Sequence, residues 1–161
     1  MNRTTQRAAL AARFDDLQSE AVATLVQCAD ACWLRTTAAE GWTVAATAHH
    51  LATVQRAFVA IVEKLAAGTT YTPASSMEQI HRSNAEHARE FAEADRLETL
   101  ALLESSGAAM SALLHGFDDD GLARPAGTFG GNQLSVARFV EYVVIGHARD
   151  HLDSIQQTID G

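Results

Sequence analysis

The chain has 161 residues, enough for one domain whose core needs neither disulfides nor metal to hold it together. Its composition, 47% apolar and 20% charged, is that of a globular protein. A formal net charge of -8, with no basic stripe carrying interleaved aromatics, argues against nucleic-acid binding. No segment approaches the roughly 18–20 uncharged apolar residues that span a bilayer. The opening MNRTTQRAALAARFDD lacks an apolar h-region and a small-residue cleavage pattern, so a cytoplasmic location is expected.

Two prolines and abundant alanine favour helix. Leu10, Phe14, Leu17, Ala21, Leu25, Cys28 and Cys32 recur at steps of three or four, which predicts a first helix over Thr5–Leu34. Cys28 and Cys32, one turn apart on it, read as small core-filling residues rather than a disulfide. Gly41 and Trp42 break the pattern, and Thr43 is a fitting N-cap for a second helix over Val44–Ala67 that Gly68 stops. Residues 68–76 read as a loop. Ser75 with Glu78 has the form of a capping box for a third, more polar helix to Ala94. Asp95 and Glu98 open a fourth helix to Phe117 carrying Leu97, Leu100, Leu103, Met110, Leu113 and Leu114, with Gly107 a small cost.

Residues 118–133, DDDGLARPAGTFGGNQ, hold four glycines and a proline, and read as a long, functional or mobile loop. Ser135 then caps a last helix over Val136–Ile159. The predicted fold is all-α, four long helices plus a shorter one packed as a bundle, with residues 1–161 forming one domain.

Of seven histidines, two continue an apolar stripe. Stepping from Val140 through Val143 or Val144 leads to His147, His151 and Ile155. Imidazoles four residues apart on a helix point the same way, the arrangement needed to share a metal ion. Two buried histidines hydrogen-bonded to backbone carbonyls would give the same pattern. The zinc-protease motif is excluded, because Ala148 stands where that motif needs a glutamate. A third ligand would come from another helix. His49 and His50 both lie early in the second, and the ridge of Val54 and Ile61 favours His50 for an inward aim. His81, His87 and His115 read as surface residues, and Glu141 and Asp150 as the nearest acids for an outer role.

GWTVAATAHHLA resembles a family pattern of Trp-Ser/Thr-Val followed by His-Leu, here Trp42, Thr43, Val44, His50 and Leu51. IGHARDHLDSI resembles that family's closing HxxxH, and SNAEHAREFAEADRLETLALLESSGAAM its central helices. The family is the DinB/YfiT-like superfamily of metal-binding four-helix bundles, and the resemblance covers nearly the whole chain. It implies a divalent metal (Zn, Ni, Co or Fe) held by His50, His147 and His151, and a transferase or isomerase acting with a low-molecular-weight thiol such as mycothiol, bacillithiol or glutathione. It also implies dimerisation, which is common among relatives. On the enzyme reading, the 118–133 loop is expected to help wall the site. The chain departs from many relatives in having Ala46 and Thr47, not an acid, ahead of the helix-two histidine. That departure keeps open a non-catalytic metal-binding or stress-related bundle.

Overall fold

The computed structural model describes residues 3–161. Helices α1 (Arg3–Gln27), α2 (Asp30–Trp33), α3 (Val44–Ala66), α4 (Met77–Glu90), α5 (Arg96–Gly116) and α6 (Asp119–Ala123) lead to a two-stranded antiparallel sheet of β1 (Pro125–Phe129) and β2 (Asn132–Ser135). Helix α7 (Val136–Phe139), a π-helical stretch Val140–Ile145 and α8 (Gly146–Asp160) follow without a break as one rod. The four long rods α1, α3, α5 and α7–α8 form the bundle, α3 and α5 making its most extensive contact, and α4 crosses the outside of α3. Among the described residues no helix is long and apolar enough to cross a membrane.

The core is built from the predicted stripes: Phe14, Leu17 and Leu25 of α1, Leu51 and Leu65 of α3, Leu103, Met110 and Leu114 of α5, and Leu152 and Ile155 of α8 are all buried. Leu97, in the first turn of α5, is 76% exposed.

The first helix is also shorter than its periodicity predicts. The chain leaves the helical path at Ala29 (φ -65°, ψ 152°), and two long-range bonds hold the corner. Arg96 donates to the Cys28 carbonyl at 2.6 Å, and the Trp33 indole N–H donates to the Ala94 carbonyl at 2.8 Å. Cys28 is buried and Cys32 half-buried; both are free thiols, and burial pushes the Cys28 thiol up.

Helix ends follow their capping chemistry. Thr43 Oγ1 accepts from the Ala46 N–H, Asp95 Oδ1 from Glu98 and Ser135 Oγ from Arg138, as expected. The capping box of α4 is one residue later than predicted: Ser76 and Gln79 exchange bonds, not Ser75 and Glu78. The tandem serines offer two frames of the same motif, and only one is used.

The segment 118–133 is not a loop. It contains α6, capped by Asp118, and most of a hairpin whose turn is Gly130–Gly131, with φ of 55° and 82°. Positive φ at both central residues is what a two-residue type I′ turn requires. Gly127 is needed for a different reason. A Cβ there would stand 2.0 Å from the Tyr71 carbonyl oxygen, where the 68–76 loop bonds to β1 through Tyr71 N–H and the Ala126 carbonyl.

The π-helical stretch aligns the last rod. Val140, Val144, Ala148 and Leu152 are all buried at successive i+4 steps. On a regular α-helix each such step precesses by about 40°. The wider π turn absorbs part of that drift, so the apolar line stays on the core while His147 and His151 lie along its border.

Gly107 answers to the core rather than to helix propensity. The Gln18 amide donates to the Leu103 carbonyl (2.9 Å) and accepts from Gln55 (3.0 Å), which is itself buried and donates to Ser106. A Cβ at position 107 would stand 2.2 Å from Gln18 Nε2. Gly107→Ala gains about 1 kcal/mol of helix propensity. Displacing Gln18 strands buried groups at a cost of about 1–3 kcal/mol. Urea denaturation of Gly107→Ala is therefore expected to show lower stability; an unchanged or higher midpoint would mean that Gln18 swings clear without loss.

Candidate metal centre

Three helical positions converge at one end of the bundle. His50, buried in the second turn of α3, faces His147 and His151 from the first two turns of α8. His50 Nε2 and His147 Nε2 are 3.3 Å apart, and one ring nitrogen from each of the three histidines lies within 4.8 Å of the others. The ring centroids are separated by 4.5–5.3 Å. Of the two adjacent histidines on α3, it is His50 that joins the pair.

The ring of His151 is oriented by a residue that periodicity does not single out. Its Nδ1 lies 2.8 Å from Glu40 Oε1. A carboxylate can only accept, so Nδ1 carries the proton and Nε2 keeps its lone pair facing the cluster. Ser154, one turn below, donates to the other carboxylate oxygen at 2.5 Å. Burial alone would raise the Glu40 carboxyl, but the hydrogen bonds from His151, Ser154 and Thr37 outweigh it and hold the group down at about 2.

The turn that presents Glu40 is built locally. Thr36 and Thr43 form an antiparallel bridge, Thr37 N–H donates to the Trp42 carbonyl (2.7 Å), and Gly41 N–H closes back on the Thr37 carbonyl. Gly41 sits at φ 72°, in the left-handed region that glycine enters without strain. Glu40 and Trp42 flank that glycine, so one turn supplies both. Trp42 stacks on the His151 ring (6.2 Å, 22°) and meets His50 edge-on (5.2 Å), while Phe58 meets His147 edge-on at 5.6 Å.

His50 and His147 are held in the neutral form. Burial, with the neighbouring His151 and His87 rings, pulls His50 down to about 4, and burial with His151 and His50 pulls His147 down to about 3. Neutral imidazole is the metal-binding form.

The donor set passes a simple geometric test. Zinc–nitrogen bonds of about 2.0–2.1 Å at a tetrahedral angle place ligating nitrogens about 3.3–3.4 Å apart. The His50–His147 separation falls at that value, and it is long for an imidazole–imidazole hydrogen bond. The Glu40–His151 pair is the carboxylate–histidine arrangement that fixes a ligand's tautomer in metal sites.

Three sequence expectations are corrected. Glu141 bonds Arg13 at 2.7 Å and Arg138 at 3.3 Å on the outer surface, and Asp150 is exposed, so neither serves the cluster; Glu40 does. His81 and His115 are exposed, the latter 2.9 Å from Asp15. His87 is instead half-buried, 3.1 Å from His49 and with its ring centroid 5.4 Å from that of His50. Burial lowers both His49 and His87. The hairpin reaches the site only at second hand: Phe129 packs on Phe139 (4.8 Å), Phe139 on Phe58 (6.2 Å), and Phe58 on His147.

A four-helix bundle with an extra crossing helix and a three-histidine cluster at one end defines the class of protein. The chain belongs to the DinB superfamily, whose family model matches residues 5–155. Its fold is that of the solved mycothiol-dependent maleylpyruvate isomerase and of a histidine-to-alanine mutant of that enzyme. Each match has a TM-score of 0.72 at 15% identity and covers 96% of this chain. The chain spans 61% of the length of that enzyme. No curated protein sequence matches it.

Glu40→Gln keeps the side chain's shape but no longer supplies a charged acceptor to His151. Metal affinity, measured by competition with a chromogenic chelator, is expected to fall by about 10–100-fold; an unchanged affinity would remove Glu40 from the centre. The metal-free protein should also be acid-sensitive. His50 and His147 are depressed on folding, so the unfolded chain binds more protons below the ordinary histidine value of 6.5 and stability falls as pH drops from there toward 4. Glu40, also depressed, adds a further loss between 4.5 and about 2. A His50→Gln/His147→Gln variant should show a fall smaller by roughly 5 kcal/mol between pH 6.5 and 4; equal slopes in urea denaturation would contradict the assignment.

Proposed function

We propose that this chain is a divalent-metal-dependent enzyme, acting as one domain in the cytoplasm, that uses a low-molecular-weight thiol at His50, His147 and His151 for transfer to, or isomerisation of, a small electrophilic substrate. The observation that carries this reading is the donor set, in which three imidazole nitrogens converge within 4.8 Å with no carboxylate among the group. Imidazole ligands suit Zn, Ni, Co or Fe(II), and three protein ligands leave coordination positions open. When bound there, such a cation supplies a Lewis acid that favours the thiolate form of a thiol near neutral pH.

The chain's own residues do the rest. All three ligands are uncharged, so the centre keeps the full positive charge of the cation and favours an anionic sulfur. Glu40 holds the His151 proton on Nδ1 and keeps Nε2 available. Trp42 and Phe58 pack against the ligand rings and exclude water from two sides, which strengthens electrostatic interactions inside. The solved enzyme of the same fold is by name mycothiol-dependent, which supports a thiol as cosubstrate.

A second reading, a metal-binding bundle without turnover, is favoured by one observation. The Thr47 hydroxyl is committed to the Thr43 carbonyl at 2.9 Å and Ala46 is buried and apolar, so no acid precedes His50 on α3.

The readings separate in turnover assays with mycothiol, bacillithiol and glutathione: thiol consumption against epoxide and alkyl-halide electrophiles, and cis-to-trans conversion of maleyl substrates, which adds and then returns the thiol. The enzyme reading expects metal-dependent turnover of at least one kind with at least one thiol, and its loss by a factor of about 100 or more in His147→Ala/His151→Ala. No turnover in either assay, together with a metal-induced rise in Tm that no thiol increases further, would favour the binding bundle.

A further inference from the structure

A second pair of imidazoles lies beside the cluster, and the chemistry above leaves it unused. His49 precedes His50 on α3 and so points about 100° away round the helix. Helix α4 brings His87 over it. The facing atoms, His49 Nδ1 and His87 Nε2, are 3.1 Å apart, and the rings lie 5.0 Å apart at 30°. Phe91 stacks on His49 at 3.8 Å and leans on His87 at 4.6 Å, so both rings are held in place. Thr53 Oγ1 stands 3.5 Å from the same His49 nitrogen.

We propose that His49 and His87 form a second, outer site for a divalent late first-row cation, adjacent to but separate from the His50–His147–His151 cluster. Two nitrogens bound to one ion at about 2.0–2.1 Å stand about 2.9 Å apart at a right angle and about 3.4 Å apart at the tetrahedral angle. The observed 3.1 Å lies between these limits. A cation takes the place of the single proton the two rings otherwise share. The Thr53 hydroxyl is placed to add an oxygen, and water completes the shell. Two imidazoles hold an ion less tightly than three, and imidazole donors select Cu, Ni or Zn over Mg or Ca. The His87 ring centroid lies 5.4 Å from that of His50, so the two sites are neighbours.

The test is a zinc titration of the chelator-stripped full chain by calorimetry, repeated with Co(II) by visible absorption. Wild type is expected to bind two ions per chain in a tight and a weaker phase. His87→Ala should lose the weaker phase and leave the tight one unchanged, and His49→Gln, which removes the partner ring, should reproduce that loss. Far-UV circular dichroism controls for folding. The complementary His147→Ala/His151→Ala variant should retain the weaker phase alone; loss of neither phase there would refute the inner centre without touching the outer. One ion per wild-type chain, two ions in His87→Ala, or a weakened tight phase in His87→Ala would each overturn the outer site.

Discussion

The hydrogen bond between Glu40 and His151 is the contact on which the centre depends. Without an acceptor at Nδ1, the His151 ring is free to place its proton on either nitrogen, and only one choice leaves a lone pair facing His50 and His147. The carboxylate that makes the choice is itself largely withdrawn from water, which is costly unless its oxygens are bonded. His151, Ser154 and Thr37 supply those bonds, and the group is ionised as a result. Glu40 in turn needs the turn at Gly41, and the same turn carries Trp42 onto the rings of His50 and His151. A ten-residue connection between helices thus does as much for the cluster as the helices that bear its three histidines.

The bundle's part is to fix three helical positions against one another. The buried contact between α3 and α8 sets the His50–His147 distance, and the π-helical turn ahead of His147 sets which way the two α8 imidazoles face. Regular α-helical winding would carry them progressively off the core's border. Polar anchoring elsewhere in the core serves the same rigidity. Gln55 sits on α3 five residues past His50 and ties that helix to α1 and α5 through Gln18, Leu103 and Ser106. Aromatic contacts then run from the hairpin through Phe139 and Phe58 to His147, so an element remote from the cluster still limits the motion of the His147 ring.

Much of this is legible in the sequence because it is periodic. Apolar steps of three and four reveal the four long helices, and the same steps reveal that His147 and His151 border the core. His50 follows less directly, since spacing alone separates it only weakly from His49. What periodicity does not reveal lies in contacts between distant segments. Glu40 and His151 are 111 positions apart, and nothing local marks Glu40 as different from any other loop acid. His87 lies among charged residues on a helix with no buried position, and only the crossing of α4 over α3 brings it to His49. The hairpin is a different case. Gly130–Gly131 is a turn signal that the sequence does carry, outweighed by the glycine and proline content around it. The break after Gln27 depends on Arg96 and Ala94 from across the bundle, so a continuous apolar stripe hides it.

The most direct test of the centre is X-ray absorption at the metal edge of protein loaded with one equivalent of Co(II) or zinc. The structure predicts a first shell near 2.0–2.1 Å with the outer-shell scattering of three imidazoles and room for one or two light atoms. A shell with one imidazole or none, dominated by carboxylate or water oxygens, would contradict the assignment of His50, His147 and His151.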